Sequence, residues 1–161
     1  VHPSSSHAEQ TTWQRLVKQA FARQDGDLRG LNAAEFYERL DPLQRKAVLL
    51  WDFDYQVCEG GIPHWIMNAR DGWITEVMDT VKEIGTQTAK EVLSVLEQVQ
   101  PLAGSESEED LCRLGDLTNR YLFADPIGSE TAGTRFINES LRDRFVNDVE
   151  TWLRGQLEAQ S

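Results

Sequence analysis

Histidine, cysteine and basic residues are all scarce in this 161-residue chain, and each scarcity removes a class of function. The histidines are His2, His7 and His64, so unperturbed side chains offer few candidates for acid–base chemistry near neutral pH. Cys58 and Cys112 are too few and too far apart for a disulfide framework or a zinc ribbon. Both fall in apolar-periodic stretches, where a free cysteine behaves as a small hydrophobe, so two buried thiols in a reducing compartment are expected. No apolar run approaches the ~18 residues of a membrane span. Lys and Arg total 16 against 27 Asp and Glu, and the net charge of −11 leaves no basic footprint for gripping phosphates directly. There is no phosphate-binding glycine loop, no dinucleotide fingerprint and no Gly-x-Ser-x-Gly elbow. The first residues, Val1 to His7, lack the charged region and apolar core of a signal peptide, so the cytoplasm is the expected compartment.

What is present is helical periodicity. Trp13, Leu16, Val17, Ala20 and Phe21 fall at i, i+3, i+4, i+7 and i+8, one apolar stripe. Gly26 and Gly30 break it, and Asn32 with Glu35 has capping-box spacing for a short helix reaching about Leu40. Asp41-Pro42 supplies an N-cap and an N1 proline for a helix from Leu43 to about Cys58, apolar around most of its circumference and therefore central. Gly60-Gly61 is expected to stop it, and Pro63 to restart a turn through Trp65, Ile66 and Met67. Ile74, Val77, Met78, Val81 and Ile84 give the cleanest amphipathic pattern, which Gly85 ends. Thr86 then caps a helix whose stripe is Ala89, Val92, Leu93, Leu96 and Val99. A polar loop from Pro101 to Glu109 precedes a helix marked by Leu114, Leu117, Thr118 and Tyr121. After a second loop over Ala124–Ser129, a final helix is expected from about Arg135 toward Leu157. No stretch alternates apolar and polar residues between turn signals, so no substantial sheet is expected. The reading is all-α: a flexible tail over 1–8, then one compact bundle of seven to eight helices over 9–158.

The candidate chemistry is thin. His64 has Glu59 and Asp54 nearby in sequence, which would allow a weak carboxylate–histidine metal or small-ligand site beside the Gly60-Gly61 turn. That spacing matches no ligand motif, and a hydrogen-bonded structural histidine is the simpler account. No catalytic residue, cofactor or committed metal site is expected. Trp13, Trp51, Trp65, Trp73 and Trp152 mostly coincide with apolar stripes and so read as core, with Trp73 nearest the surface.

Charge is the uneven feature. Residues 1–50 are near neutral, whereas 51–100 and 101–161 each carry a net charge of −6. Glu76, Asp79 and Glu83 lie at i, i+3 and i+7, on one helix face and away from the apolar stripe. Their spacing of roughly 4.5–6 Å along the axis is comparable to, and slightly shorter than, that of DNA phosphates. Glu106, Glu108, Glu109 and Asp110 form a second cluster at a helix start, where acids also favour the helix dipole. Against both stands the plain alternative of a solvated face that keeps the protein soluble.

Gln56-Val57-Cys58-Glu59-Gly60-Gly61-Ile62-Pro63-His64-Trp65-Ile66-Met67-Asn68 resembles the signature of the bacterial DNA-mimic protein family, roughly Glu-Val-x-Asn-Gly-Gly-Phe-x-Gln-[aromatic]-[apolar]-x-Asn. Val57, Gly60, Gly61, Trp65, Ile66 and Asn68 match, whereas Gln56, Glu59, Ile62 and His64 depart from it. Ile84-Gly85-Thr86, with Ala89 and Leu93, resembles the family's turn between two helices. The resemblance covers about residues 50–100. It implies an all-α fold in a bacterial cytoplasm, no catalytic activity, and an acidic surface able to occupy the basic face of a DNA-binding protein. The matched turn itself reads as structural, its glycines permitting a tight connection and Asn68 bracing the following loop. The expected function is therefore a non-enzymatic interaction domain for a basic protein, with no direct nucleic-acid or membrane contact and with a homodimer left open.

Overall fold

The computed structural model describes residues 9–123 and 139–161. Among these there are seven α-helices and no strand. They are α1 (Thr12–Ala22), α2 (Ala33–Arg39), α3 (Pro42–Asn68), α4 (Trp73–Ile84), α5 (Gln87–Val99), α6 (Glu108–Leu122) and α7 (Leu141–Gln160). A 3₁₀ turn at Gln100–Leu102 stands in the expected polar loop. The tail over 1–8, the loop at Ala124–Ser129 and the helix start near Arg135 lie outside the described residues.

Local chemistry explains most of these boundaries. Thr11 and Gln14 form a reciprocal capping box on α1. Asn32, Thr86, Ser107 and Ser140 each accept an amide hydrogen bond at a helix start. Asp41 precedes Pro42 as expected but makes no side-chain cap bond. Gly72 and Gly85 bound α4 with φ of +87° and +68°, a region costly for residues bearing a Cβ.

The long helix α3 is the hub, packing against α1, α4, α6 and α7, while α5 closes the far side against α4, α6 and α7. Buried between them, Phe53 meets Trp65 at 4.7 Å edge-on and Tyr121 at 5.2 Å. Trp13 and Trp65 are buried, and Trp51, Trp73 and Trp152 are partly covered and packed on the core.

The structure bears out one expectation here and corrects another. The break at Gly60-Gly61 is where it was expected: Gly61 leaves helical geometry (φ +83°, ψ 178°), so the span Pro42–Asn68 is two helical segments meeting at a bend, the second carrying Pro63, Trp65, Ile66 and Met67. The amide freed at the bend, Ile62 N–H, donates to Thr118 Oγ1 at 3.0 Å, and that hydroxyl donates to the Leu114 carbonyl at 2.8 Å. A Cβ at Gly61 would stand 3.3 Å from Thr118 Cγ2, and one at Gly60 only 2.7 Å from His64 Cβ, so both positions require glycine. The correction concerns the thiols. Cys58 and Cys112 are both exposed, because each lies just off the phase of its helix's buried stripe: Val57 on α3, and Leu114, Leu117 and Tyr121 on α6.

Candidate functional site

The α4 strip is held rigidly by Val77, Val81 and Ile84, whose burial turns Glu76, Asp79 and Glu83 outward. The neighbouring helix α3 then answers two of these three charges. Arg45 Nη2 donates to both oxygens of Glu76, at 2.6 and 2.8 Å, and Lys46 Nζ reaches Glu83 at 2.9 Å. Asp79, between them, is exposed and has no ion-pair partner among the described residues. The strip is thus one free carboxylate flanked by two neutralised ones.

At the start of α6 the cluster also divides. Asp110 turns inward on its own loop, accepting from Ser105 Oγ at 2.5 Å, while its amide donates to Ser107 Oγ at 3.1 Å. Hydrogen bonds from Ser105 and then Ser107 hold its carboxyl below the ordinary range. Asp110 is therefore engaged locally, its amide capped by Ser107 and its carboxylate held by Ser105. Glu106, Glu108 and Glu109 face solvent and make no ion pair among the described residues. Helices α4 and α6 share no substantial packing, so the two clusters are separate features of the surface.

Other acids are consumed inside the bundle. Asp54 is buried and accepts from Tyr121 Oη at 2.8 Å and from Arg142 Nε and Nη2 at 2.8 and 2.9 Å. Burial first, then the facing Asp54, pushes the Tyr121 phenol well above its usual value, so it stays a hydrogen-bond donor. Glu150 of α7 accepts from the amides of Thr12 and Trp13 at 2.7 and 2.9 Å, capping a helix more than a hundred residues away. Asp148 similarly accepts from the hydroxyl of Thr86, the cap of α5.

Glu150 makes a pH dependence testable. Burial raises its pKa, but the Trp13 and Thr12 amides outweigh that and leave it below the ordinary value. A depressed folded-state pKa contributes stability that is present above the unfolded value, roughly 4.3, and is lost as pH falls through the folded one. The melting temperature of wild type should therefore exceed that of Glu150→Gln at pH 6, with the gap closing by pH 3. A gap independent of pH would disprove this role.

The metal alternative is not assembled. Asp54 is taken by Arg142 and Tyr121, and Glu59 is exposed. His64 sits against Gly60, with its Nε2 3.3 Å from the Asn68 amide nitrogen. Among the described residues no group of three or more His, Cys, Asp or Glu side chains is placed to hold a metal. Asn68 does not brace the following loop but reaches back across the bend, donating to Gln56 Oε1 at 3.2 Å and to the His64 carbonyl at 3.0 Å. Val57 and Trp65 are buried and Ile66 packs on the core, on either side of the bend in α3. Tyr121, Arg142 and Glu150 were invisible as partners from the sequence, since their contacts lie 67 to 138 residues apart.

Fold and surface together define a helical bundle that turns to solvent several carboxylates without an ion-pair partner among the described residues. The chain belongs to the DMP19-like family: the family model described as DMP19-like protein matches residues 38–156. No curated protein and no solved structure matches the chain. The match begins near the end of α2, so it spans the bent α3, both acidic clusters and most of α7. No helix among the described residues is long and apolar enough to cross a membrane.

Proposed function

We propose that this protein is a non-enzymatic interaction domain that sets its acidic surface against the basic face of a DNA-binding protein, standing in for the nucleic acid. The observation that carries this reading is the sorting of carboxylates. Asp54, Asp110 and Glu150 are spent on the fold, whereas Asp79, Glu106, Glu108 and Glu109 stay exposed with no ion-pair partner among the described residues. Like-charged groups kept free in this way sustain a negative field that speeds encounter with a basic partner and weakens as salt rises. Membership of the DMP19-like family, with the resemblance of Gln56–Asn68 to the DNA-mimic signature, favours a DNA-binding protein as that partner.

The test is capture of DNA-binding proteins from the native host at low salt, followed by competition with duplex DNA. Glu106→Gln, Glu108→Gln and Glu109→Gln combined should weaken binding about tenfold and flatten its salt dependence. Asp79→Asn alone should weaken binding by removing a free carboxylate, whereas exchanging Glu76 and Glu83 also releases Arg45 and Lys46 to repel a basic partner. Binding indifferent to all six exchanges, or undisturbed by duplex DNA, would refute the proposal.

A further inference from the structure

A groove of about 310 Å³ runs between α2, the start of α3 and the outer face of α4. Its apolar lining is Leu40, Pro42 and Leu49, with the two leucines themselves almost wholly buried. Four carboxylates and two cations also line it. The ion pairs Arg45–Glu76 and Lys46–Glu83 account for both cations and two of the acids. Glu38 on α2 and Asp79 on α4 remain, exposed and facing the same groove from different helices. The groove therefore has an apolar lining, two braced sides and two negative charges without an ion-pair partner among the described residues.

We infer that this groove is an anchor site for an arginine side chain of the basic partner. The inference rests on the proposed docking function and adds where, and with what residue, the partner is held. An arginine carries a stem that packs along apolar surface while its charged end stays at the rim. Its planar guanidinium presents five donors in a fixed fork and is more weakly hydrated than an ammonium, which suits it to carboxylates presented from two helices. Anions are excluded by the same surplus of negative charge. The Arg45 and Lys46 pairs keep α3 and α4 in register, so the groove is formed before the partner arrives and little ordering is needed on binding.

The test uses the full chain and a tri-arginine peptide at physiological salt, followed by NMR amide shifts. Shifts should concentrate at Leu40, Leu49 and Thr80, and Glu38→Gln with Asp79→Asn should weaken binding about tenfold. Glu106→Gln with Glu108→Gln, an equal change of charge, should leave these shifts in place. Tri-lysine should bind more weakly than tri-arginine. The inference falls if the shifts gather on α6 instead, if both double variants behave alike, or if tri-lysine binds equally well. If the groove variants bind tri-arginine like wild type while partner capture still responds to the α6 exchanges, the groove assignment alone fails. If no basic partner is captured but tri-arginine seats as described, the docking function fails and the groove stands.

Discussion

Replacing Asp54 with alanine is expected to cost about 3–5 kcal/mol of folding stability, the range for removing one partner of a buried charge pair. Among the described residues the carboxylate accepts three hydrogen bonds, from Tyr121 Oη and from Nε and Nη2 of Arg142. Tyr121 is fully buried, so its hydroxyl would lose its partner with no water to replace it. The Arg142 side chain is about one-third exposed and can turn partly to solvent, which places the expected loss toward the lower end of the range. Tyr121→Phe should cost only about 1 kcal/mol, since it removes donor and polarity together. Urea unfolding of the two single variants and the double variant gives the coupling directly, and the double should be less destabilised than the sum. A loss below about 1 kcal/mol for Asp54→Ala would show that this network contributes little.

Trp65→Ala should be as damaging, at about 3–5 kcal/mol, for a different reason. The indole is 1% exposed and meets Phe53 edge-on at 4.7 Å, beside the bend made by Gly61. Its removal would open a cavity at the junction of α3's two halves, where a kinked backbone has limited room to collapse. Trp65→Phe keeps most of the volume and should retain partner binding at temperatures where it is folded. Loss of binding by a fully folded Trp65→Phe would return this signature residue to a direct functional role.

The contrast between these two sites shows what a sequence makes visible. Trp65 could be placed in the core because it follows Val57, Gly60 and Gly61 in an apolar helical stretch, all within a few turns. Asp54 looked like one of several acids near His64, and nothing local distinguished it. Its partners arrive from α6 and α7, and chain separations of 67 and 88 residues carry no periodic signal. The same limit explains the cysteines. Composition and general pattern put Cys58 and Cys112 inside, yet burial depends on the rotational phase each helix takes against its neighbours, and that phase leaves both outside.

The acidic surface divides in the same way. By itself the sequence determined that the protein is helical, where most helices begin and end, and that its negative charge lies after the first fifty residues. These follow from short-range rules: 3.6-residue periodicity, caps within three residues of the amides they satisfy, and glycines at positive φ. Only the tertiary structure decided which carboxylates remain available. Arg45 and Lys46 lie 31 and 37 residues from Glu76 and Glu83, and only the packing of α3 on α4 brings them together. That packing leaves Asp79 free between them, because neutralising a charge requires an opposite charge within a few ångströms and chain separation does not set that distance.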